Sequence, residues 1–125
     1  MVKTVKIGDK EYNLKSSAFT MFSYKNETGR DLLQDLEYLN TRVLEISKLS
    51  KEEQNSAWLK EMTPLFEKGL RLAHIMILEQ DKSFKSYEDW LKDLDSLFSD
   101  NMSWLSEVIE VGIAPFLGRI QNSQN

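Results

Sequence analysis

The chain has no cysteine, one histidine, two prolines and five scattered glycines among 125 residues. Without cysteine there is no disulfide framework, no thiolate metal site and no cysteine nucleophile, and nothing points to an oxidising compartment. The single imidazole, His74, rules out a multi-histidine metal site and any catalytic relay built around a second histidine. It lies among Leu70, Ala73, Ile77 and Leu78, where a partly buried structural role is expected. Gly8, Gly29, Gly69, Gly112 and Gly118 form neither a GxGxxG nor a GxxxxGK[ST] pattern, so no phosphate-cradling loop is present. Nor do the aspartates fall at the alternating spacing of a calcium loop, which would also need its turn glycine. No run approaches the roughly 18 apolar residues of a membrane span, and Met1-Val2-Lys3-Thr4-Val5-Lys6 lacks the apolar core of a signal peptide. A cytoplasmic location is therefore expected, with no membrane partner. The net charge of −4 and pI near 5.1 have the wrong sign for a protein whose main partner is a nucleic acid backbone.

Hydrophobic residues make up 41% and charged residues 29%, the balance of a folded domain with a core of its own. One domain over 1–125 is expected, with a hairpin at 2–15, a helical part at 16–120 and a frayed polar tail at 121–125. The first residues alternate: Val5 and Ile7 share one strand face, Tyr12 and Leu14 another, and Gly8-Asp9 between them suits a two-residue turn. That turn pairs Ile7 with Lys10, Lys6 with Glu11, Val5 with Tyr12 and Thr4 with Asn13. A lone hairpin is marginal in water, so its apolar face should lie on helices or be completed by another chain.

After Leu14 the period changes to that of a helix. Ser16 or Ser17 caps a first helix through Ala18, Met21, Phe22 and Tyr24 to Thr28, and Gly29 provides a left-handed stop. Phe19, Phe22 and Tyr24 read as core. Asp31, paired with Gln34, caps a second helix whose Leu32, Leu36, Leu39, Val43 and Ile46 form a narrow seam. The polar stretch 49–55 holds a Ser50/Glu53 capping box, and a third helix is expected from about Ser56 to Gln80, with Pro64 kinking it or opening its second half. Its apolar residues cover more than half of its circumference, as in a helix central to the core. Ser86 and Asp89 cap a fourth helix reaching Phe98. Asp100 starts a fifth, with Met102, Leu105, Val108, Ile109, Gly112 and Phe116 on one stripe and Pro115 distorting its end. The fold class is α+β, mainly α: an N-terminal β-hairpin and about five helices.

Charge is uneven. From Glu79 to Glu110 there are nine acidic residues against three lysines, either an acidic docking surface or the solvated faces of two helices. No spacing singles out an acid/base pair. The residues support no enzyme, no cofactor and no metal, and leave a protein that works by surface contact.

Val5-Lys6-Ile7-Gly8-Asp9-Lys10-Glu11-Tyr12-Asn13-Leu14-Lys15, a helix ending in Glu27-Thr28-Gly29, and Asp31-Leu32-Leu33 resemble the start of the small tail assembly chaperones of long-tailed bacteriophages, the type found with Gram-positive hosts. The likeness covers about the first third of the chain. It implies a non-enzymatic protein of the host cytoplasm that binds the tape measure protein, helps recruit tail tube subunits and does not remain in the mature virion. It also implies a longer frameshifted form, of which this chain would be the shorter partner. The competing expectation is a small phage or prophage regulator acting on a host protein. Candidate partner-binding residues are the seam Leu32, Leu36, Leu39, Val43 and Ile46 and the C-terminal Trp104, Val111 and Phe116, unless both stripes are ordinary core. The hairpin edge offers self-association by strand addition.

Overall fold

In the computed structural model, which describes residues 1–98 and 102–117, strands β1 (Val2–Ile7) and β2 (Lys10–Lys15) are followed by five helices. These are α1 (Ala18–Thr28), α2 (Leu32–Ser47), α3 (Lys51–Gln80), α4 (Tyr87–Asp93) and α5 (Ser103–Leu117). The fold is mainly α with a small β part, as the sequence pattern indicates. The expected fifth-helix start at Asp100 and the expected polar tail at 121–125 lie outside the described residues.

The hairpin has the register that its turn dictates, with Ile7 opposite Lys10, Val5 opposite Tyr12 and Thr4 opposite Asn13. Gly8 takes φ +68°, which a residue without Cβ adopts freely. It also lies against the chain that follows α4: a Cβ at Gly8 would stand 2.3 Å from the Asp95 carbonyl oxygen. Val5, Ile7 and Leu14 are fully buried against the helices, so the hairpin's apolar face is covered within the chain. Lys3 fastens β1 to α5 through Glu107 and Glu110, at 3.5 and 3.3 Å.

Local capping sets the helix boundaries. Ser17 caps α1 in a box with Thr20, and Gly29 closes that helix at φ +75°. Asp31 caps α2 alone, accepting from the Leu33 amide at 2.9 Å. The Ser50/Glu53 box starts α3 at Lys51, one turn and more ahead of the expected Ser56. The polar residues 51–55 lack a buried face, but the reciprocal cap satisfies amides that would otherwise be unbonded. α3 then runs through Pro64 without interruption. α4 ends early, at Asp93, because Leu94 turns extended and Ser96 adopts φ +57°. Leu94 and Leu97 still reach the core, from a loop whose Leu97 carbonyl accepts the Trp104 indole N–H at 2.8 Å.

One hydrophobic cluster joins the hairpin to all five of these helices. Its axis is the second half of α3, where Leu70 and Leu72 to Ile77 are buried. Gly112 of α5 makes room where three helices meet: a Cβ there would come 2.9 Å from Leu72 and 3.3 Å from Leu36.

Two glycine substitutions separate turn geometry from close packing. Gly29 has open space around its Cβ position, so Gly29→Ala should cost only the left-handed strain, about 1 kcal/mol. Gly8→Ala meets that strain and the Asp95 carbonyl together, and should cost at least about 2 kcal/mol. Chemical denaturation of both variants checks this; equal losses would place the hairpin turn away from the 94–98 loop.

Candidate partner-binding surface

Six of the eight seam and C-terminal residues expected to face a partner lie in the interior. Leu32, Leu36, Leu39 and Ile46 are 1, 2, 1 and 1% exposed, and Val43 is half-buried against the same cluster. Trp104 and Val111 are equally inaccessible, and Phe116 is partly covered. The reason is steric: Gly112 lets α5 close over Leu36, and α3 covers the other flank. These eight residues hold the fold together, and a partner reaching the seam would have to open it.

The apolar groups that face solvent are different ones. Phe19, Phe22 and Leu59 are 63, 58 and 66% exposed, which corrects the placement of Phe19 and Phe22 in the core. The orientation of α1 is set by polar fasteners instead. Ser17 and Thr20 donate to the Glu79 carboxylate at 3.2 and 2.6 Å, and Tyr24 donates to Asp35 at 2.5 Å. With Thr20 and Tyr24 turned inward, Phe19 and Phe22 have to turn outward.

Three concavities run along α3. The first, about 480 Å³, lies between α1 and α3 and is lined by Phe19, Ile75 and Leu78, with Lys15, Lys82 and Glu27 around them. The second, about 370 Å³, is polar, with Glu27, Arg30, Glu67, Arg71 and Tyr87. The third, about 420 Å³, lies between α3 and α4 and is mostly apolar: Met62, Phe66, Leu70, Tyr87 and Leu91. Glu27 belongs to the first and second, and Glu67 and Tyr87 to the second and third. The three therefore form one trough with apolar ends and a charged middle. Its α3 residues, Met62, Phe66, Glu67, Arg71, Ile75 and Leu78, wind obliquely across the helix, because Glu67 directly follows Phe66 and stands about 100° round from it; Lys82 lies just beyond the end of α3. From Met62 to Leu78 that path rises roughly 24 Å at about 1.5 Å per residue.

The charged middle is held rigidly. Arg30 Nε donates to Asp35 at 2.8 Å and NH2 to the Tyr24 hydroxyl at 3.4 Å. The bond to Asp35, then that to Tyr24, push the Arg30 pKa above its ordinary value. Burial, reinforced by Asp35, raises that of Tyr24 and keeps it neutral. Arg71 lies 4.4 Å over the Tyr87 ring and pairs with Glu27 at 3.3 Å, so both guanidinium groups are oriented by neighbours before anything binds. Leu33 and Leu44 are also exposed, but on their helix face Glu37 and Asn40 separate them and no apolar surface joins them.

His74 is buried, ringed by Phe84, Tyr87 and Trp90 at 6.0, 5.4 and 5.7 Å. Its Nε2 lies 2.8 Å from the Lys85 carbonyl; since a carbonyl only accepts, the proton sits on Nε2. The acidic stretch is largely tied up locally: Glu79 holds α1, Asp93 pairs with Lys85, and Glu107 and Glu110 pair with Lys3. Among the described residues, no group of acids and histidine could hold a metal ion, and no helix is long and apolar enough to cross a membrane. No known protein family, characterised protein or solved structure matches the chain.

Burial holds the His74 pKa below its ordinary 6.5, against the weaker pull of the Lys85 carbonyl. The unfolded chain then binds this proton at a higher pH than the folded chain, so stability rises with pH through that interval. The stability is complete above about pH 6.5 and declines as pH falls from there towards the folded value. His74→Gln keeps a donor for Lys85 without titrating, and denaturation midpoints between about pH 7.5 and 5.5 should fall less steeply in that variant. Identical slopes would mean that the imidazole is not desolvated.

Proposed function

We propose that the chain is a phage tail assembly chaperone that binds the helical tape measure protein along the α3 trough and helps recruit tail tube subunits, without catalysis. It would act in the host cytoplasm and be absent from the mature virion. The observation that carries this reading is the continuity of the trough. Exposed apolar side chains on a folded protein are usually scattered; here two of them, Phe19 and Leu91, stand at opposite ends of one concave path. A path of roughly 24 Å accepts about 16 residues of helix. The best match is an amphipathic helix with apolar anchors at both ends and polar residues between them, where Arg30, Arg71, Glu27 and Glu67 stand. A long helical partner offers such segments repeatedly, and a small chaperone can cover it in many copies. The resemblance of residues 5–33 to these chaperones supports the same reading.

Co-expression with the long, coiled-coil-rich product of a neighbouring gene tests it. Phe19→Ser and Leu91→Glu should each weaken the complex by roughly tenfold and together abolish it, while melting temperatures stay close to that of the parent because these side chains are exposed. A complex that survives the double variant, or no complex under any salt condition, would overturn the proposal.

A further inference from the structure

We infer that the free edge of β2 pairs with the same edge of a second copy, in a closed antiparallel arrangement centred on Asn13. The inference rests on the hydrogen-bond phase of the hairpin. Ser16 N–H donates to the Met1 carbonyl at 2.8 Å, and the Met1 ammonium donates to the Ser16 carbonyl at 3.0 Å. In an antiparallel ladder bonded and non-bonded pairs alternate, so with the observed register the bonded pairs are Met1/Ser16, Lys3/Leu14, Val5/Tyr12 and Ile7/Lys10. Glu11, Asn13 and Lys15 therefore direct both N–H and C=O away from β1. Among the described residues, no backbone group bonds to them there, and their side chains are exposed.

The order of side chains selects the occupant. A second β2 laid antiparallel about Asn13 uses all three outward residues: Asn13 faces its own copy, and Glu11 faces Lys15 in both directions. Each of these pairs exchanges two backbone hydrogen bonds, and the charges that meet are opposite. On the inner face Tyr12, still partly exposed, comes opposite Leu14 of the other copy. Registers shifted towards either end leave an outward residue unpaired, and those centred on Glu11 or Lys15 set like charges together. The β1 edge lacks this match. Pairing it with itself about Thr4 sets Val2 against Lys6, and edge lysines of this kind discourage strand addition. The two-fold arrangement also closes, whereas β2 added to β1 of the next copy would propagate without limit.

Sedimentation of the full chain from micromolar to millimolar concentration should show a monomer–dimer equilibrium. Glu11→Lys and Lys15→Glu should each weaken the dimer by about tenfold, and the double variant Glu11→Lys/Lys15→Glu should restore it. Amide exchange gives a second readout on the unmodified chain: Glu11, Asn13 and Lys15 should slow as concentration rises, while Val2, Thr4 and Lys6 should not. A monomer at every concentration, a dimer indifferent to either reversal, or rescue of Glu11→Lys by Lys6→Glu instead of Lys15→Glu would each overturn the inference.

Discussion

The structure depends on the burial of the second half of α3. From Leu72 to Ile77 every residue is buried, which a helix achieves only when other elements cover nearly its whole circumference. β2 lies over one side, α2 and α5 meet it around Leu72, and α4 closes over His74 through the aromatic cluster of Phe84, Tyr87 and Trp90. α1 is fastened to its far end by Glu79. Arg71, half-exposed just before this stretch, marks the side left open. The trough is that open side, so the same helix that organises the core also supplies the floor of the candidate site.

This arrangement explains why α1 wastes apolar surface. Its position is decided by hydrogen bonds from Ser17, Thr20 and Tyr24 to buried or half-buried carboxylates, bonds that are costly to leave unmade once those carboxylates are desolvated. Phe19 and Phe22 then remain in water, each forgoing about 2 kcal/mol of burial. In the proposed complex a partner helix laid along the trough recovers part of that loss at Phe19, at the end opposite Leu91.

Features governed by a few neighbouring residues were legible in the sequence. The hairpin register follows from alternation and Gly8-Asp9, and Ser17, Asp31, Ser50, Ser86 and Gly29 all cap as their residue types suggest. The seam of α2 was legible as a face that needs covering, but periodicity does not say by what. Gly112, a residue with no side chain to signal its role, is what lets α5 cover Leu36. The candidate site was legible least. Its apolar residues come from α1, α3 and α4, and Phe19 reads as core until the distant bond between Thr20 and Glu79 fixes the rotation of its helix. The early end of α4 was hidden for a similar reason: Leu94, Leu97 and Phe98 keep a helical spacing while the backbone at Ser96 has already turned.

The central claim is that a long helical partner lies in the α3 trough and not on the seam or on another exposed apolar residue. The most direct test is photo-cross-linking in cells, with a photoreactive phenylalanine placed in turn at Phe19, Leu91 and, off the trough, Leu44. The account predicts adducts with one long partner from the two trough positions and none from Leu44. Adducts from Leu44 with none from the trough would contradict it.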